Sequence, residues 1–248
     1  MEVSRERLQA LREKNIQLTR RKIRDSVKKD HLVIQAINCL DELGRTANTL
    51  SKRLKEWYSL YSPEVVRKYE DHEKFTKEVT SKSKNQLLEI CKIKREPMGA
   101  ELEKGDVHQI IELAKLVQQH YFLIESQKEY IEDIVKKTYP NVYELTGGLI
   151  GAQLIEHAGS LRNLATMSAS KIQLLGAEKA LFRHLRTGAK SPKHGLLIQH
   201  HFVGQAKQKG RAARHIADKI SIASRVDYFK GNFVGKKLKE ELEKKAKK

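Results

Sequence analysis

Read from Val33 in alternating steps of three and four, the chain returns an apolar residue every time: Val33, Ala36, Leu40, Leu43, Ala47, Leu50, Leu54 and Trp57. A repeat of 3.5 residues held for more than three heptads demands a helix with one stripe against another helix, because a strand would alternate by two. A second run follows at Val107, Ile110, Ala114, Val117, Tyr121, Ile124, Lys128, Ile131 and Val135, broken only at Lys128. Two seams of similar length predict the arms of a long antiparallel coiled-coil hairpin, residues 31–137. The insertion between them, 59–106, holds Pro63, Pro97, Gly99 and Gly105 and must turn; weak helical patterns at 65–79 and 86–93 predict short tip helices. A two-helix hairpin presents more apolar surface than it covers, so the tip is expected to pair with a second copy.

The seams settle the class as all-α, and composition agrees. Aromatics are 6% of residues, charged residues 32%, and there are four prolines, which suits long solvated helices better than a β-sandwich. Residues 1–30 are basic with a weak period at Ile16, Ile23 and Val27, a lead-in helix. No stretch approaches the roughly 20 apolar residues of a membrane span, so no membrane partner is expected. Cys39 and Cys91 form no metal or redox motif, which predicts a reduced intracellular protein.

Pro140 stops the second arm, and Gly147-Gly148 opens a stretch rich in glycine and alanine that reads as a compact helical domain, 138–230. Helices are predicted at 149–157 with Gly159 as terminator, at 160–167, at 177–187 after Gly176 with Gly188 as cap, and at 205–229. The tail, 231–248, is basic, and its residues 235–248 are predicted to be a frayed helix or disordered.

This half carries the charge. From Lys179 to Ala217 there are nine basic residues and no carboxylate, and residues 147–248 hold 21 Lys+Arg against 7 Asp+Glu. Mixed charge is enough for solubility, so a one-signed stretch of 39 residues points to a polyanion. Lys179, Arg183 and Arg186 fall at i, i+4 and i+7 on one helix face; Lys190, Lys193 and His194 follow in a loop; Lys209, Arg211 and Arg214 open the last long helix. A basic stripe is often only a solvated face. A glycine-led helix start, a cationic face and the exclusion of carboxylates together favour nucleic acid. Gly147-Gly148-Leu149-Ile150-Gly151 lacks the Gly-Lys-Ser/Thr ending of a nucleotide loop and follows a helix. His194, His200 and His201 have no carboxylate or cysteine nearby to share a metal. No nucleophile–base arrangement stands out, so neither catalysis nor a cofactor is expected.

The strings Leu174-Leu175-Gly176-Ala177-Glu178-Lys179-Ala180-Leu181-Phe182-Arg183 and Thr187-Gly188-Ala189-Lys190-Ser191-Pro192-Lys193-His194-Gly195-Leu196 resemble the signature of the Nop domain. So do Leu154–Leu161 and Ala223–Phe229, and, in the hairpin, Ile34-Gln35-Ala36-Ile37 and Leu54-Lys55-Glu56-Trp57-Tyr58. The resemblance covers about residues 16–230 and looks most like the archaeal scaffold proteins of box C/D small ribonucleoproteins, with nucleolar and spliceosomal relatives sharing the domain. It implies a homodimer through the coiled coil. It also implies joint recognition of a kink-turn in a box C/D guide RNA and of the small ribosomal-type protein bound there, in support of 2′-O-methylation by fibrillarin. Gly176, Ala177, Glu178, Lys179 and Arg183 then fall at the RNA, and Gln199 and His200 in a loop near the kink-turn. The setting would be the cytoplasm of an archaeon or the nucleolus of a eukaryote. Family members carry an N-terminal α/β domain that docks fibrillarin. About fifteen residues precede the matching region here, so the resemblance does not extend to direct docking. The competing expectations are a coiled-coil interaction protein whose basic half supplies only solubility, and a spliceosomal-type Nop-domain protein.

Overall fold

The computed structural model describes residues 5–93 and 97–246; the first four residues of the predicted lead-in, 94–96 of the tip and the last two of the tail lie outside them. The described residues form helices and no strand. In order these are α1 (Arg5–Ser26), α2 (Lys29–Tyr61), α3 (Pro63–Lys68), α4 (His72–Ser81), α5 (Lys84–Ile90), α6 (Lys104–Thr138), α7 (Pro140–Ala158), α8 (Leu161–Thr166), α9 (Ala169–Leu174), α10 (Glu178–Thr187), a 3-10 turn (Leu196–Gln199), α11 (His201–Gly204), α12 (Lys209–Tyr228) and α13 (Gly235–Ala246). They divide into two compact units, one of residues 36–131 and one of residues 1–35 with 132–248.

In the first unit α2 and α6 run antiparallel. The Ser51 and Tyr121 hydroxyls hydrogen-bond at 3.0 Å, and beyond them Leu54 and Tyr58 share a core with Ala114 and Ile110. The heptad seam holds at Ala36, Ala47 and Leu54, but toward the tip the buried positions become Ser51 and Tyr58, while Trp57 is 37% exposed. A helix of 3.6 residues per turn drifts about 20° per heptad against a 3.5 repeat, which carries the seam onto the neighbouring residue. At the tip, Phe75 of α4 packs edge-on against Tyr58, with Val65 of α3 and Leu87 of α5 in the same core. The helix expected over 65–79 is two. Asp71 accepts a hydrogen bond from the Lys74 amide at 2.8 Å and starts α4 afresh.

In the second unit α12 is the central helix. Ala212, Ala213, Ile216, Ala217, Ile220 and Ala223 are buried, and the alanines let α7, α8 and α9 approach closely. Pro140 both ends α6 and occupies the first position of α7, where its missing N–H costs nothing. That N-terminus is capped from α12: the Asp227 carboxylate accepts from the Val142 amide (2.9 Å), the Asn141 amide (3.2 Å) and the Asn141 side chain (2.7 Å). Asp30 does the same for α8, accepting from the Leu161 amide at 2.9 Å and from the Tyr139 hydroxyl, whose pKa is driven up by burial and by that bond. Replacing Asp227 with Ala orphans three donors and should cost about 2–3 kcal/mol. Thermal unfolding followed by circular dichroism should show Tm lower by about 4–10 °C.

The helix expected at 149–157 is present as the part of α7 that follows a break at Gly147 (φ 72°, ψ −179°), and the structure adds helix from Pro140 before that break. One expectation is corrected here. The tail is not frayed over 235–246: α13 packs on α7, burying Leu238 and Leu242, and Lys239 pairs with Glu144 at 3.0 Å.

Candidate nucleic-acid interface

The basic face is assembled around two close backbone approaches. After α9 the chain turns at Gly176, whose φ of 81° is left-handed and whose missing Cβ would sit 2.6 Å from Leu196. Segment 193–196 returns beside 173–176, with the Leu196 amide donating to the Leu175 carbonyl at 2.7 Å and the Gly195 amide to the Gln173 carbonyl at 2.9 Å. A Cβ on Gly195 would lie 1.9 Å from the Leu175 oxygen. The Gln173 side-chain amide then donates to the carbonyls of Lys193 (2.7 Å) and Gly210 (3.3 Å). The Lys190–His194 loop is thereby fastened beside the start of α12, where Lys209, Arg211 and Arg214 stand.

Lys179, Arg183, Arg186, Lys190, Lys193, Lys209, Arg211 and Arg214 are all exposed, and none pairs with a carboxylate among the described residues. The one acidic residue of the signature is used internally. Glu178 folds back to accept the Gly176 amide at 2.7 Å, with His157 3.6 Å from the same oxygen. Glu178 therefore holds the turn, and Ala177 is the half-buried N-cap of α10 without a side-chain cap. The carboxylates of Asp30, Glu132 and Asp227 likewise accept backbone amides inside this unit. Acidic residues here serve the fold, and the exposed face keeps its cations.

Helix α10 buries no side chain. Phe182 (62% exposed) and Leu185 (69% exposed) lie among Lys179, Arg183 and Arg186, an apolar component that charge counting did not single out. The i, i+3 spacing of Phe182 and Leu185 was the signal available.

Gln199 is exposed and His194 half-buried. His200 is the correction: expected to face RNA, its ring is turned inward and 7% exposed. The Phe202 amide donates to Nδ1 at 3.2 Å, so the proton resides on Nε2, which donates to the Leu145 carbonyl at 2.8 Å. The pKa is held below the ordinary value of about 6.5, first by burial and then by neighbouring His201, against the Leu145 carbonyl. Because the folded value is the lower one, the neutral ring contributes stability that is fully present above about pH 6.5 and lost as pH falls through the folded value. Tm should therefore decline on acidification below about pH 6.5, and His200→Gln should flatten that part of the profile; equal slopes for both proteins would contradict it.

A family model described as "Nop: snoRNA binding domain, fibrillarin" matches residues 39–248. An uncharacterized NOP5 family protein of Methanocaldococcus jannaschii is 37% identical over 248 residues, covering 93% of this chain and 60% of the relative. Nucleolar protein 56 is 36% identical in both Caenorhabditis elegans, over 245 residues, and Saccharomyces cerevisiae, over 251. These alignments cover 86% and 91% of this chain and 50% of each relative. The chain thus spans 60% or less of these relatives' length. A solved structure described as a fibrillarin/Nop5p complex aligns with TM-score 0.59 and 21% identity over 99% of this chain and 80% of that one, a likeness of fold.

Proposed function

This chain belongs to the Nop family, and from that premise we propose that it is a non-catalytic scaffold of a box C/D ribonucleoprotein. It binds kink-turn RNA and the small ribosomal-type protein seated on it, in a complex that carries fibrillarin for RNA-guided 2′-O-methylation. The observation that supports this best is the stretch 179–217 of the second unit, free of carboxylates and with those eight exposed cations, part of which, Lys193–Leu196, is fastened beside the Gly176 turn. Cations of this kind take phosphates and fix register, without reading sequence. The exposed Phe182 and Leu185 on the same helix suit a protein surface, so α10 fits a composite partner of RNA and protein. The family model's description, with its mention of snoRNA binding and fibrillarin, and the fibrillarin/Nop5p complex of like fold support the box C/D part of the reading.

A gel-shift titration with kink-turn RNA, with and without the small kink-turn protein, tests the reading. A supershifted ternary complex is expected; no supershift at low salt would leave the coiled-coil interaction reading. The hairpin is the proposed dimer surface, and Leu116, Phe122, Leu123 and Tyr130 remain exposed along α6. Sedimentation at tens of micromolar should give a dimer, and a monomer would contradict this.

A further inference from the structure

The kink in α7 leaves polar backbone groups that the helix itself does not pair: the last carbonyls before Gly147 and the first amides after it. Side chains from elsewhere take them. Glu132 accepts the Gly148 amide with both carboxylate oxygens at 3.1 Å, and His200 donates Nε2–H to the Leu145 carbonyl at 2.8 Å. Through Nδ1 the same ring caps α11, accepting from the Phe202 amide. One imidazole therefore ties the turn carrying exposed Gln199 and His201 to the kinked helix, in a cavity of about 480 Å³.

We propose that His200 is a positioning residue of the RNA-binding face, whose neutral Nε2–H ring, bridging Leu145 and Phe202, presents Gln199 and His201 in one fixed pose. The proposal rests on the RNA-binding reading above. The two bonds need opposite hydrogen-bonding characters on the two nitrogens, which only the neutral ring offers. Protonation turns Nδ1 into a donor facing the Phe202 N–H and breaks the cap. The charged and titratable groups around the ring are Tyr143 and Glu144 of α7, His201 of α11, and Lys239 and Glu243 of α13. Lys239 is already engaged by Glu144. The turn therefore loosens on the acid side, and affinity for RNA falls with it.

The test is a double-mutant cycle read by titrating kink-turn RNA carrying the small kink-turn protein at pH 7.5. His200→Ala should weaken binding about tenfold in the native background, but less than about twofold when Gln199 and His201 are already alanine, because coupled residues are not additive. His200→Asn keeps the cap acceptor and His200→Gln keeps the donor toward Leu145, so each should recover part of the loss. They also carry the cycle if the alanine variant does not fold. Equal losses in both backgrounds, or no loss in either, would overturn the positioning role. Hydrogen exchange of residues 197–204 in the free protein separates the two ideas. It should accelerate about tenfold in the alanine variant, the scale expected when one capping bond is lost. Unchanged exchange overturns the positioning role even without RNA. Accelerated exchange in a protein whose native form binds no kink-turn RNA overturns the functional reading instead.

Discussion

Replacing Lys179, Arg183 and Arg186 together with alanine should weaken the ternary complex roughly a hundredfold and flatten its salt dependence by about two to three units of log K against log salt. Each exposed charge contact contributes about 1 kcal/mol, and each phosphate neutralised releases somewhat under one counterion. Helix content should stay the same, since alanine is the better helix former and none of the three side chains is buried or paired with a carboxylate. Binding measured across 50 to 200 mM salt beside circular dichroism checks both halves of the statement. An unchanged slope with an intact fold would remove α10 from the interface and leave the start of α12, with Arg211 and Arg214, as the phosphate site.

Gly195→Ala should be the most damaging single substitution to the second unit. The added carbon would be 1.9 Å from the Leu175 oxygen and 2.7 Å from the Leu175 carbonyl carbon. Those atoms are backbone, so no side chain can swing away, and segment 193–196 must separate from 173–176. That separation breaks the Leu196–Leu175 and Gly195–Gln173 hydrogen bonds and releases the loop that holds Lys190 and Lys193. A loss of about 3 kcal/mol or more is expected, at or beyond the top of the ordinary range for single substitutions. Chemical denaturation should show an early transition in the second unit, and RNA binding should fall with it. A protein as stable as the parent would mean that the two segments do not hold the face together.

The long helices α2 and α6 were legible because their signal is local and repeated over successive heptads, and Pro140 and Gly188 mark helix ends in the sequence itself. The drift from Trp57 to Tyr58 was not legible, since a 3.5 repeat and a 3.6-residue helix separate only gradually. The cationic face was legible as composition. What organises it was not. Asp30 caps a helix that begins 131 residues later, and Asp227 caps one that begins 87 residues earlier; neither spacing leaves a pattern in sequence. The Gly147-Gly148 pair suggested a break, but Glu132 and His200, which satisfy the kink, lie on other elements. His200 illustrates the consequence: a histidine in a basic loop looks like a base contact until its two hydrogen bonds are seen to face inward. The tail misled for a related reason, because its many lysines conceal Leu238 and Leu242 at an i, i+4 spacing.

Hydrogen exchange followed by mass spectrometry, comparing the free protein with its complex of kink-turn RNA and small kink-turn protein, tests the central claim most directly. Protection is predicted over residues 176–190 and 193–214, the basic segments of the second unit, with exchange along residues 36–131 unchanged by RNA. Protection confined to residues 36–131, with the basic face exchanging as in the free protein, would contradict it.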